Sequence, residues 1–252
     1  MHKVINNIPL NYSYYKNKNT TKAVLFLHGF GGSIESFSIL DKALRPYYHT
    51  INLSLPGFFC NGTVPDNFTV YDYAKLVIKL LNELNVKKVY IVSHSFGGRI
   101  AIILASLYSE LVEKVVLIDS AGLKPRFSIV TYLKIKYFKF LKWLSKFKII
   151  KKEFLNKFGS SDYKNLSSSQ KKVFNNIIKE DLSYLLKNIK APTLIVWGKK
   201  DKITPYYMAK KLNKSINKSR LILYKKAGHF SYLEEIKTIE RDIHLFFLEE
   251  NL

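Results

Sequence analysis

Six short apolar runs recur along this chain, each giving way to a turn or a helical stretch: Ala23–Leu27, Thr50–Leu53, Lys88–Val92, Lys114–Ile118, Thr193–Trp197 and Arg220–Tyr224. Runs this short, rich in Val, Ile and Leu, suit strands buried on both faces, as parallel sheets require. Between them, Val70–Leu84 carries Tyr73, Ala74, Val77, Leu80, Leu81 and Leu84 at helical spacing, and Phe96–Tyr108 reads as a helix rich in small residues. Strand alternating with helix predicts an α/β fold with a mostly parallel central sheet and helices on both faces. Lys3–Asn6 and Leu10–Tyr15 add an N-terminal hairpin of antiparallel edge strands, and Ser231–Glu249 a last helix. A chain of 252 residues fits one such domain.

The alternation lapses between Asp119 and Thr193, a stretch far beyond the usual connections of α/β units. Its apolar residues Leu133, Tyr137, Phe140, Leu141, Leu144 and Phe147 keep helical spacing. The expectation is a helical lid over residues 123–190, inserted into a core formed by 1–122 and 191–252. On a helical wheel Lys136, Lys139, Lys142 and Lys146 fall on one side, and Leu133, Phe140, Trp143, Leu144 and Phe147 on the other. The plain reading is a cap helix whose apolar face roofs a pocket while its lysines meet water. The sharper one is a basic, aromatic-rich surface in peripheral contact with an anionic membrane or an acidic partner.

Charge favours an anionic partner for that surface. Lys and Arg number 41 against 19 Asp and Glu, a net charge of +22, and from Ser120 to Lys152 ten residues are basic and none is acidic. Nucleic acid is not expected, because the aromatics fit a helix face better than a stacking platform. Met1–Asn19 holds no continuous apolar segment, and Lys interrupts every candidate membrane span. The lone Cys60 cannot form an intrachain disulfide, so a reducing cytoplasm is the expected compartment.

The chemistry concentrates at Ser93-His94-Ser95-Phe96-Gly97-Gly98, between a strand and a helix. A serine nucleophile needs a sharp strand-to-helix turn that lifts its Oγ above the sheet edge, with small residues two places to either side. Gly97 meets that need, and Ser93 stands where glycine is usual. The helix beginning at Phe96 adds its N-terminal dipole. Ser95 needs a base within hydrogen-bond reach, and His229, between the last strand and the last helix, is the candidate.

Four further segments follow in order: His28-Gly29-Phe30-Gly31-Gly32 after a strand, Leu55-Pro56-Gly57 after the next, Trp197-Gly198-Lys199-Lys200-Asp201, and Ala227-Gly228-His229-Phe230. With the serine turn they make the chain resemble the α/β-hydrolase family, in its lid-bearing, esterase- and lipase-like branch. The resemblance covers essentially the whole chain. It implies a triad of Ser95, Asp201 and His229, in which the acid holds the imidazole in the productive tautomer. It also implies an oxyanion hole built from the backbone N–H groups of Phe30 and Phe96. Asp119, at the end of the strand before the lid, is the alternative acid, since some family members draw theirs from that position.

His94 and His28 read as packing residues, His28 as one that orders the oxyanion loop, and Cys60 as a bystander. No metal or cofactor is expected, because no clustered ligand spacing and no phosphate-binding glycine loop stands out. The expected function is acyl-enzyme hydrolysis of a carboxylic ester or thioester, on a small-molecule substrate with an apolar acyl group. Carbon–carbon bond hydrolysis, cofactor-free peroxidation, and a ligand-binding receptor built on the fold are the alternatives.

Overall fold

A computed structural model describes residues 1–57, 62–126, 129–146 and 166–249. Cys60, Phe147 and Lys152 lie outside them. The strands are β1 (His2–Ile5), β2 (Ile8–Tyr15), β3 (Ala23–Leu27), β4 (His49–Ser54), β5 (Val89–His94), β6 (Val112–Ile118), β7 (Thr193–Gly198) and β8 (Ser219–Tyr224). They form one sheet in the order β1-β2-β4-β3-β5-β6-β7-β8. The hairpin strands pair antiparallel, and every pairing from β4 through β8 is parallel.

Among the described residues the helices are α1 (Ser38–Leu44), α2 (Val70–Glu83), α3 (Phe96–Leu107), α4 (Ile129–Lys146), α5 (Ser168–Lys179), α6 (Tyr207–Ser215), α7 (Ser231–Glu234) and α8 (Ile236–Leu248). Because successive side chains of a strand point to opposite faces, each apolar run supplies two cores at once. Leu25, Leu27, Ile91, Leu117 and Trp197 face α2, α3 and α6, where Tyr73, Leu80, Ile100 and Leu212 are buried. Val24, Phe26, Val92, Val116 and Val196 face α1 and α8, where Leu40, Leu44, Ile243 and Phe246 are buried. This double burial explains why the runs are continuous rather than alternating.

From β3 the chain crosses outward to β4 and then back to β5, on β3's other side. Connections leaving neighbouring strands in opposite directions open a crevice at their carboxyl ends, where doubly wound sheets bind ligands. The loop after β3 carries His28–Gly32, and the turn after β5 carries Ser95.

Among the described residues, α4 and α5 lie in the long segment between β6 and β7, and its two ends are tied together. The Leu182 N–H donates to the Gly122 carbonyl at 2.8 Å, and the Lys124 N–H to Asp181 Oδ1 at 3.3 Å. Buried Arg99, on α3, donates through Nη1 to the Glu180 carbonyl at 2.7 Å. A Ser167–Gln170 capping box starts α5, and Gln170 also reaches the Gly57 carbonyl at 3.2 Å. Asp66 pairs with Ser169 and Lys172, so α5 is pinned to the core loop before α2.

Two expectations need correction. The last helix is two, because Glu235 leaves the helical region at φ −126° and ψ 35°. The sides of α4 also differ from those expected: Leu141 and Ser145 are buried, whereas Leu133, Phe140 and Trp143 are exposed together with Lys136, which lies within their arc rather than opposite it. Helix α4 carries apolar residues on both sides, Leu141 inward and Leu133, Phe140 and Trp143 outward. The side chains of Lys139, Lys142 and Lys146 lie outside those described.

Candidate active site

The turn after β5 is strained. Ser95 sits at φ 46° and ψ −109°, a left-handed conformation that a non-glycine residue holds only when its surroundings impose it. They do so through backbone bonds: the Ser95 N–H donates to the Ile118 carbonyl at 3.1 Å, and the Ser95 carbonyl accepts from Gly98 and Ala121 at 3.0 Å each. A Cβ on Gly97 would lie 2.0 Å from the Leu27 carbonyl oxygen, so only glycine lets α3 start this close to β3. The departure at Ser93 is accommodated, since its Oγ donates to the Val116 carbonyl of β6 at 3.0 Å.

Ser95 Oγ lies 3.0 Å from His229 Nε2, and His229 Nδ1 lies 2.8 Å from Asp201 Oδ2. The structure therefore brings the three together from the carboxyl ends of β5, β7 and β8. With Nδ1 donating to the carboxylate, Nε2 is left as the acceptor that faces the serine hydroxyl. Asp201 Oδ1 accepts from the N–H groups of Ile203 and Thr204 at 2.7 and 2.9 Å, and Thr204 Oγ1 also bonds its carboxylate. Burial alone would raise this carboxyl, but the bonds from His229 and Thr204 outweigh it and hold it below the usual carboxylate range. Thr204 was not singled out from the sequence. The signal for it is an Asp followed three residues later by Thr, the spacing of a local side-chain-to-backbone turn.

Asp119 is placed differently. It ends β6 at φ 43° and is buried, and its two oxygens accept from the N–H groups of Gly198 at 2.7 Å and Ser231 at 3.1 Å. Those residues belong to the two segments that carry Asp201 and His229, so this carboxyl clamps them to the sheet. Burial, aided by the charge of Asp201, pushes it up to about 7. A second close approach completes the clamp, for a Cβ on Gly198 would lie 2.0 Å from the Gly228 carbonyl oxygen. The Gly228 N–H in turn donates to Glu234 Oε1 at 3.0 Å, bracing the histidine turn from α7.

Two further histidines, His28 and His94, hold backbone. Buried His28 donates from Nδ1 to the Gly29 carbonyl at 2.7 Å and accepts at Nε2 from the Leu55 N–H at 2.8 Å, which joins the loops after β3 and β4. Burial lowers its imidazole to about 4. His94 donates from Nε2 to the His229 carbonyl at 2.7 Å, and burial lowers it to about 3. A Cβ on Gly29 would lie 3.4 Å from Ser95 Cβ, so the His28–Gly32 loop runs directly beside the serine turn. Phe30 stands on that loop, its ring packed edge-on against Phe174 of α5 at 4.7 Å. Phe96 is the first residue of α3, and N–H groups of a helix's first turn face away from its own ladder.

Residues 22–176 and 157–236 match the model of the α/β hydrolase fold family, and the chain belongs to that family. Hydrolases are among its relatives, and together with the fold they support an α/β-hydrolase enzyme. It is 29% identical over 260 residues to the "Uncharacterized hydrolase YugF" of Bacillus subtilis (strain 168), covering 95% of this chain and 94% of that protein. It is 23% identical over 270 residues to 2-hydroxy-6-oxononadienedioate/2-hydroxy-6-oxononatrienedioate hydrolase 1 of Pseudomonas putida, covering 93% and 90%. The crystal structure of an α/β hydrolase enzyme from a Medee basin deep-sea metagenome library superposes with a TM-score of 0.79. That match spans 100% of this chain and 98% of that one at 18% identity, a likeness of fold.

Proposed function

We propose that the protein is a serine hydrolase that cleaves carboxylic esters or thioesters through an acyl-enzyme. The observation that carries this reading is the continuous chain of contacts from Ser95 Oγ through His229 to Asp201. As Oγ attacks the acyl carbon, His229 Nε2 takes its proton, and the new imidazolium is stabilised across the Nδ1–Asp201 bond. The N–H groups of Phe30 and Phe96 receive the oxyanion. Collapse of the tetrahedral adduct expels the alcohol or thiol, which takes the proton back from His229. Water then attacks the acyl carbon as Nε2 takes its proton, and collapse of this second adduct breaks the bond to Ser95 Oγ, which receives that proton as the acid is released.

The segment spanning 123–190 serves as a lid over an apolar acyl site, with α5 packed on Phe30 as its support. A single cysteine fits a cytoplasmic enzyme. Among the described residues no helix is long and apolar enough to cross a membrane.

The likeness to the Pseudomonas putida hydrolase favours a second reading, in which the same three residues hydrolyse a carbon–carbon bond beside a carbonyl. Turnover of p-nitrophenyl esters of graded chain length, set against a vinylogous 1,5-diketo acid, separates the two. Ester turnover that disappears in Ser95→Ala supports the first reading; turnover of the diketo acid alone would replace it with the second.

A further inference from the structure

We infer that the outward face of α4 docks on an anionic lipid bilayer. Its inward side is set by Leu141 and Ser145, 5% and 8% exposed. Facing away from them, Ile129 is 67% exposed, Leu133 57%, Phe140 53% and Trp143 52%. These residues fall within one arc of the helix, and the Phe140 and Trp143 rings stack 22° apart in plane with centroids 6.1 Å apart. Lys136 is exposed within the same arc, its Nζ 5.0 Å from the Tyr132 ring centroid. A helix that turns aromatic and branched apolar side chains outward, in a region rich in Lys, has the composition of one that lies flat at a membrane interface.

Charge selects the occupant. The stretch from Ser120 to Lys152 has ten basic residues and no acid, in a chain of net charge +22. A second copy would bring the same positive field against itself. Anionic headgroups complement it, and lipid needs no shaped groove to receive a convex helix face. Helix α4 is not apolar enough to span a bilayer, which leaves it lying in the interface. This inference is independent of the proposed hydrolysis.

The test uses the whole protein with vesicles of phosphatidylcholine alone and of phosphatidylcholine mixed with phosphatidylglycerol. The protein is expected to sediment with the mixed vesicles at low salt, less with phosphatidylcholine alone, and less as salt rises. Leu133→Ser combined with Phe140→Ser should weaken binding roughly tenfold or more, with melting curves confirming the fold. The chain's two tryptophans are Trp143 and the fully buried Trp197. Brominated acyl chains should therefore quench the wild type but not Trp143→Phe, and this readout decides the matter if the double variant fails to fold. Absence of binding to mixed vesicles at low salt, undiminished binding by a folded double variant, or unquenched Trp143 in bound protein would overturn the inference. So would a soluble dimer that shields Trp143.

Discussion

The imidazole of His94 donates to the backbone carbonyl of His229 across 2.7 Å, so the residue preceding the strained serine holds in place the residue that bonds it. The His94 ring also packs against His229 and Tyr232, with centroids 4.9 and 4.8 Å away. Replacing His94 with Phe keeps much of the packing and removes the donor. Ester kcat is expected to fall roughly tenfold, the worth of one buried hydrogen bond, with KM little changed. His94→Gln, which keeps an N–H donor, should recover part of the loss. Steady-state kinetics of the two variants check this.

Asp201 and Asp119 follow neighbouring strands, but of the two His229 Nδ1 bonds only the first, while two backbone N–H groups occupy the second. Asp201→Asn is expected to lower kcat by about three to four orders of magnitude, because the amide favours the wrong imidazole tautomer. Asp119→Asn should cost about tenfold or less, through a loosened clamp. Single-turnover rates rank them, and a reversed ranking would move the acid to Asp119.

The buried titratable groups set a pH dependence of stability. His28 and His94 lie at about 4 and 3 in the fold against 6.5 when exposed, so the unfolded chain binds their protons first. Their contribution is whole above pH 6.5 and is lost as pH falls toward those values, at up to about 1.4 kcal/mol per pH unit for each. Asp119 works in the opposite sense: raised from 3.8 to about 7, it contributes fully below 3.8 and loses that contribution as pH rises to 7. Wild-type Tm is therefore expected to fall on acidification from 6.5 to 4, and that of Asp119→Asn to fall more steeply. Scanning calorimetry across this range checks both slopes.

The serine turn has one position without slack. Gly97→Ala places a Cβ against the Leu27 carbonyl oxygen, which is sheet backbone and cannot rotate aside. A loss of about 3 kcal/mol or more, with activity abolished, is expected in urea unfolding. Ser93→Gly, which removes only the bond to Val116, should cost about 1 kcal/mol.

The strands, the serine turn and the histidine turn are legible in the sequence because each rests on local chemistry: continuous apolar runs, small residues at fixed offsets, and glycine before histidine. The choice between Asp201 and Asp119 is not local. Both close a strand, and what separates them is which backbone N–H groups the tertiary fold delivers to Asp119, from Gly198 and Ser231, residues distant from it in sequence. The helix α4 fails for another reason. A wheel shows how apolar residues are distributed about an axis, but not which side meets the core when Leu141 offers one face and Phe140 the other. Helices α1 and α6 are too short for periodicity to announce them.

In the proposed hydrolysis Ser95 forms a covalent bond to the acyl group. Intact-mass spectrometry after reaction with a fluorophosphonate, followed by peptide mapping, tests it without knowledge of the natural substrate. One stoichiometric adduct on Ser95 is expected, absent in Ser95→Ala and slowed in Asp201→Asn. An unlabelled wild type, an adduct on another residue, or equal labelling of Ser95→Ala would contradict it.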